Sequence, residues 1–300
     1  MSKGRRAVTV LALRVGGLAE GQAVGMVEPN RKGGKKMNRL NFRMVTALFA
    51  LVVLALSATV STEVRAQAPV VDPAATQILK RMTDYLSSLN QFTVRTQNTM
   101  EDVLDSGHRV DLDVSASVIV SRPNKIRAER KGDLLDQVFY YDGKTLTLYN
   151  PSDKVYATVP APGTFEGVFK FMYESLGFII PVSDLVYPNA FPLLMQDVTL
   201  AVVVGKAFIG GVKCDHLLFS RPGVDFQVWV ADSGRPLPRK YVVTDRGTPH
   251  LLSITTVMSD WNVAPAVADA RFTFVPPKGT KAITFMPFTV QTPTPKGGSK

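Results

Sequence analysis

The sequence predicts an α+β domain, a large curled antiparallel sheet of roughly 10–12 strands forming a half-barrel, with helices covering its concave face. Three observations carry this reading. Between Phe92 and Val275 apolar residues recur mostly at every second position, in short runs, as in strands with one buried face. The turns between the early runs are rich in Asn, Asp, Gly and Pro and too short for a parallel crossover. Two other segments have the 3.6-residue apolar spacing of amphipathic helices.

The first helix opens after Asp72, which can cap it, with Pro73 at the first position, where a missing N–H costs nothing. Ile78, Leu79, Met82, Tyr85, Leu86 and Leu89 then share one face. From Phe92 the period becomes two. Val110, Leu112, Val114, Ala116, Val118 and Val120 alternate with Asp111, Asp113, Ser115 and Ser117. Arg122-Pro123-Asn124 turns the chain, 125–130 alternates again, and 137–141 leads into the hairpin signal Asp142-Gly143. Strands at 145–149 and 154–159 flank Asn150-Pro151-Ser152-Asp153. Thr164 then caps a second helix with the stripe Phe165, Phe169, Met172 and Leu176, and Gly177 ends it. An apolar stretch punctuated by Pro181, Pro188 and Pro192 follows, after which strands are expected at 200–204, 212–219, 224–230, 239–244, 251–261 and 271–275.

About a dozen strands cannot stay flat, and a curled sheet with helices over its mouth encloses an apolar volume, the expected site. A helix on a sheet needs an apolar stripe merely to be stable. The apolar residues between the prolines of 178–195 are harder to place in an exposed loop, so this segment and the second helix read as a lid. Phe165, Phe169, Met172, Leu176, Phe178, Ile180, Phe226 and Trp229 are the expected lid or cavity residues.

The chain carries a formal net charge of +10, but unevenly. Residues 1–66 hold 11 Lys and Arg against three acids, and 277–300 adds four lysines and no acid. Residues 67–276 hold 20 basic and 22 acidic residues, so the body is slightly acidic and a nucleic-acid groove is excluded as a reading. The uncharged run Met44–Thr62, preceded by Arg39 and Arg43 and followed by the small residues Ala66 and Ala68, has the layout of an export signal. The expectation is a periplasmic protein cleaved near Ala66 or Ala68; uncleaved, the run 44–62 is long enough to anchor it in the inner membrane. The expected division is a disordered extension or mis-assigned start at 1–36, a signal peptide at 37–66, one half-barrel domain at 67–286 and a disordered tail at 287–300.

Chemistry-bearing motifs are sparse. Cys214 is the only cysteine, which leaves no intramolecular disulfide. Cys214 and His216 share a strand face about 6–7 Å apart, beyond hydrogen-bond reach, and supply only two metal ligands, which His108 and His250 do not complete. Glu101, Asp102 and Asp105 flank Gly107 in a hairpin tip. No phosphate loop, nucleophile elbow or zinc-binding His pair occurs, and no cofactor is expected. A hydrolase or metalloenzyme built on Cys214 and His216 is the remote alternative.

Several blocks together resemble a family of uncharacterised, predicted periplasmic bacterial proteins. They are Ile78-Leu79-Lys80-Arg81-Met82, the run 121–130, the run 139–146, Val155-Tyr156-Ala157, the run 210–217, the run 224–230 and Leu237-Pro238-Arg239-Lys240. The resemblance covers about 75–285; Phe226 stands where relatives are expected to carry Trp. Its sheet-and-helix plan is similar to the LolA/LolB lipoprotein carriers, which implies a half-barrel wrapping an acyl chain. The expected function is therefore a monomeric, non-enzymatic periplasmic carrier or binding module for a hydrophobic small molecule, lipid or lipoprotein, with transient membrane contact. The alternative is an envelope interaction or scaffold protein whose half-barrel is filled.

Overall fold

Asp72 accepts a hydrogen bond from the Ala74 N–H at 2.8 Å and starts helix α1, Pro73–Ser88. In this computed structural model residues 70–285 are described, apart from Leu134, Ile179 and Thr248. The expected export signal, its cleavage site and both expected disordered ends lie outside them. Among the described residues no helix is long and apolar enough to cross a membrane.

Strand β1 (Val70–Val71) precedes α1, and six strands follow it: β2 (Gln91–Val103), β3 (Arg109–Ser121), β4 (Lys125–Gly132), β5 (Leu135–Tyr141), β6 (Thr145–Asn150) and β7 (Val155–Pro160). Helix α2 (Phe165–Leu176), a 3-10 turn at Ser183–Leu185 and helix α3 (Ala190–Met195) interrupt the strands. Then come β8 (Leu200–Ile209), β9 (Val212–Arg221), β10 (Val224–Ala231), β11 (Pro238–Asp245), β12 (Ser253–Asn262) and β13 (Lys281–Ala282). The described strands form one sheet in the order β1-β8-β9-β10-β11-β12-β2-β3-β4-β5-β6-β7-β13. Each run of strands is an antiparallel meander, and the second is joined to the first where β12 pairs with β2, for example Thr256 with Asn98. The sheet is open and curled, and its fold class is α+β.

Both edges depart from the meander. β1 pairs parallel to β8 and β13 parallel to β7, because these short strands arrive through long connections rather than tight turns. The strand expected at 271–275 does not form. Asp269–Phe272 is a 3-10 turn, and the ring of Phe274 sits among Tyr140, Tyr149 and Tyr156 at 5.3, 5.3 and 4.9 Å. The alternating aromatics there anchor the chain to a tyrosine cluster on the face away from the helices, and pairing resumes only at Lys281. Helix α3 was not expected, since Pro192 falls inside it; Pro is tolerated in a first turn, where its missing N–H has no helical partner.

Register fixes which side chains face inward. Phe92, Val120, Ile126, Tyr141 and Leu146 are lateral neighbours across β2 to β6, and Val94, Val118, Ala128, Phe139 and Leu148 form the next row. Leu79, Met82 and Leu86 of α1, Phe165, Val168, Phe169 and Met172 of α2, and Ala190 and Leu194 of α3 pack on this face in one core. That core also takes in Leu217 and Phe219 of β9 and Phe226 of β10. Strands β6 and β9 are eight positions apart in the sheet, roughly 38 Å if it were flat, so curling is what brings both walls to the same helices.

Candidate functional site

Phe92 and Val94 of β2, Val118 of β3, Ile126 and Ala128 of β4 and Met258 of β12 wall an apolar cavity of about 70 Å³. Leu86 of α1 and Phe169 of α2 close its sides, and Ile180, Pro181, Val182, Leu185 and Val186 lie across it. This covering segment has little regular structure. Gly177 ends α2 in the left-handed region (φ 69°), and Val182, a β-branched residue, is held at φ 58°, a strained conformation that surrounding contacts must impose.

One arginine ties the cover to the wall. Arg122 donates from Nε to the Leu89 carbonyl at 3.1 Å, from Nη2 to the Leu86 carbonyl at 3.2 Å and from Nη1 to the Val186 carbonyl at 2.8 Å. The first two acceptors end α1, where a helix presents unpaired carbonyls and the negative end of its dipole. The third is on the cover. Burial lowers the guanidinium pKa, partly offset by Glu166, but an arginine remains charged at any physiological pH.

The cover carries a second ionisable group. Burial pushes the Asp184 carboxyl above the ordinary carboxylate range, and the nearby positive charge of Arg221 on β9 opposes this. Asp184 in turn helps burial raise Tyr187, to about 12, and Tyr241. A carboxyl whose folded pKa is raised contributes stability that is fully present below its unfolded value and is lost as pH rises through the folded one. Asp184→Asn is therefore expected to stabilise the protein progressively as pH rises above about 4, the ordinary carboxylate value, with little effect at pH 3.5. Urea unfolding from pH 3.5 upward checks this, and an equal effect throughout would show that charge is not the cause.

Of the residues expected at the site, Phe169 and Ile180 line the cavity. Phe165 and Met172 are buried beside them, with the Phe165 and Phe169 rings stacked at 5.9 Å. Leu176 and Phe178 pack half-buried on the same core, and Phe178 meets Phe139 edge to face at 5.4 Å. Phe226 faces inward but lies in the other wall, stacked on Phe219 at 4.8 Å. Trp229 does not join the group. Its register partner is His216, on the opposite face of the sheet, and the two rings stack at 4.0 Å with Lys240 over the indole. Its neighbour Val228 takes the inward position, as strand alternation requires.

Cys214 and His216 have separate partners. The buried Cys214 thiol donates to the Val212 carbonyl at 3.3 Å, burial raises its pKa, and His216 Nε2 lies 2.9 Å from Gln227 Oε1. A raised pKa disfavours the thiolate that a nucleophile or ligand would need. Among the described residues no group of three or more His, Cys, Asp or Glu side chains gathers as a metal site.

Sequence reasoning misses Arg122, which reads only as part of a turn, and Asp184, which lies in the irregular stretch. It also misses the wall residues Phe92 and Ala128 as cavity lining, although alternation places both on the inner face.

Comparison with known proteins places these features in context. The model of a family described as "Predicted periplasmic protein (DUF2092)" matches residues 75–286. No curated protein matches the sequence. Similar solved structures include an uncharacterised conserved protein from Thermus thermophilus, with 12% identity, TM-score 0.42, and coverage of 70% of this chain and 99% of that one. Another is the lipoprotein LppX of Mycobacterium tuberculosis, with 16% identity, TM-score 0.39, and coverage of 66% and 100%. A third is a LolA superfamily protein from Nitrosomonas europaea, with 13% identity, TM-score 0.37, and coverage of 67% and 97%.

Proposed function

The chain belongs to the DUF2092 family of predicted periplasmic proteins, and from that premise we propose that it is a carrier or binding module for a hydrophobic ligand, an acyl chain or similar lipid tail. The observation that carries this is the apolar cavity between the inner sheet face and the Ile180–Val186 cover. Ligand pockets typically hold about 300–1,000 Å³, several times the 70 Å³ enclosed here. The cover supplies the difference. Ile180, Val182, Leu185 and Val186 occupy the space a tail would take, and swinging them out would expose the wall formed by β2, β3 and β4. Burial of each methylene contributes roughly 0.8 kcal/mol, so a tail of about a dozen carbons offsets the loss of the cover's own contacts.

The exported protein, purified from the periplasm and extracted with organic solvent, is expected to yield co-purifying lipid by mass spectrometry. Stripped protein is expected to take up a neutral apolar fluorophore. If no lipid is retained and no fluorophore enters, the reading fails. The small enclosed volume then favours the second reading, an envelope scaffold with a filled half-barrel. In that case the binding surface is for an envelope protein, and Phe169→Ala would leave capture of that partner unchanged.

A further inference from the structure

Below the cavity the inner face stops being apolar. Met258, Thr96, Ala116, Arg130 and Gln137 are lateral neighbours across β12, β2, β3, β4 and β5. Thr96 and Met258 line the cavity, as does Ala128, two residues before Arg130 on β4. Strand geometry puts Arg130 about 7 Å from Ala128 on the same face. The Arg130 guanidinium lies over the Phe139 ring, 5.3 Å from its centroid, and Phe139 is itself a core residue facing inward. No carboxylate or hydrogen-bond acceptor among the described residues meets this guanidinium. Burial alone, with no compensating charge, brings its pKa down to about 10. Beside it, the Oε1 of Gln137 is buried and accepts no hydrogen bond.

This is an incomplete arrangement. A guanidinium half-buried against an aromatic ring has lost part of its hydration with no counter-charge to replace it, and a buried amide oxygen without a donor adds to that cost. Neighbouring arginines have partners. Arg122 meets three carbonyls, and Arg127 pairs with Glu129. We propose that Arg130 receives the oxyanion head, carboxylate or phosphate, of an amphiphile whose tail fills the apolar cavity, with Gln137 accepting from a hydroxyl of the same head. This rests on the ligand-binding reading above. The planar fork of the guanidinium fits either oxyanion through two parallel hydrogen bonds, and the ring beneath it fixes its plane. The row that holds Arg130 also supplies Thr96 and Met258 to the cavity, so a single-chain amphiphile would span both without bending.

The test is displacement of N-phenyl-1-naphthylamine, a neutral apolar fluorophore, from the exported protein by hexadecanol, palmitate and palmitoyl lysophosphatidic acid. Inorganic phosphate serves as a head without a tail. Palmitate and the lysophosphatidic acid are expected to compete about tenfold to a hundredfold better than hexadecanol, the factor given by one charge-assisted contact pair. Arg130→Met should abolish that preference while hexadecanol binds as before. Gln137→Glu should do the same by supplying an internal partner for Arg130, which keeps the test open if Arg130→Met fails to fold. Equal binding of alcohol and acid to the unaltered protein, or a preference that survives both substitutions, would overturn the assignment and leave apolar binding intact. So would inorganic phosphate competing as well as the acids. Failure of the fluorophore itself to bind would instead sink the ligand-binding reading, and this assignment with it.

Discussion

Arg122→Met is expected to lower the stability of the protein by about 2–3 kcal/mol and to release the Ile180–Val186 cover, because one side chain holds both. The guanidinium donates to two carbonyls at the end of α1 and to the Val186 carbonyl on the cover. Methionine reaches similar distances but leaves all three acceptors without that donor. The helix end can find water, so its share of the loss is modest. The cover has less to fall back on: its own backbone bonds are Ser183 N–H to Ile180 at 3.3 Å, Leu185 N–H to Val182 at 3.0 Å and Val186 N–H to Ser183 at 3.0 Å. Hydrogen exchange at Leu185 and Val186 is therefore expected to accelerate at least tenfold, beyond any change in the strands, with faster entry of a neutral fluorophore. Arg122→Lys keeps the charge but not the fork, and should fall between the two. Exchange unchanged at these two amides would mean that apolar packing alone retains the cover.

Local pattern carries most of the architecture. The Asp72 cap, the α2 stripe from Phe165 to Leu176 with Gly177 after it, and the alternation of β3 from Val110 to Val120 are each written within a dozen or so consecutive residues and appear as expected. What is not legible depends on residues distant in sequence. The pairing of Thr256 with Asn98, which joins the two meanders, involves positions 158 apart, linked also by a buried side-chain hydrogen bond of 2.8 Å. Phe272 and Phe274 mimic a strand because alternation looks the same whether the second face meets a sheet partner or a tyrosine cluster.

The site follows the same division. Phe169 and Ile180, expected from their apolar character, lie at the cavity, whereas Trp229 shows the limit of that reasoning: an aromatic residue in an apolar strand is as easily buried against His216 on the outer face as on the inner one. Arg122, Arg130 and Asp184 matter through what surrounds them, and a turn, a strand position and a loop position say nothing of that. The two arginines differ in a way only the assembled fold reveals. One is held by three carbonyls and acts within the protein; the other lacks an internal acceptor among the described residues.

Phe169→Ala is expected to cost about 3 kcal/mol, and Phe219→Ala at least roughly 1 kcal/mol more, although both remove a buried phenyl ring. Phe219 is fully buried in β9, stacked on Phe226 and held between hydrogen-bonded strands, so its cavity cannot collapse and the cost should lie near the upper end of about 3–5 kcal/mol. Phe169 stacks on Phe165 and meets Tyr187 at 5.8 Å, but across the cavity it faces the cover. If the cover moves easily it sinks into the space, recovering contacts and lowering the cost. If it is rigid, the lost ring joins the existing 70 Å³ to make a hole of the order of 150 Å³, a size at which an apolar cavity stays dry and binds benzene. Urea unfolding of both variants, with and without benzene, separates these outcomes. A smaller penalty for Phe169→Ala with no benzene-dependent stabilisation is the result expected of a carrier. Equal penalties with benzene rescue of Phe169→Ala would point to a rigid cover, and so to a filled half-barrel.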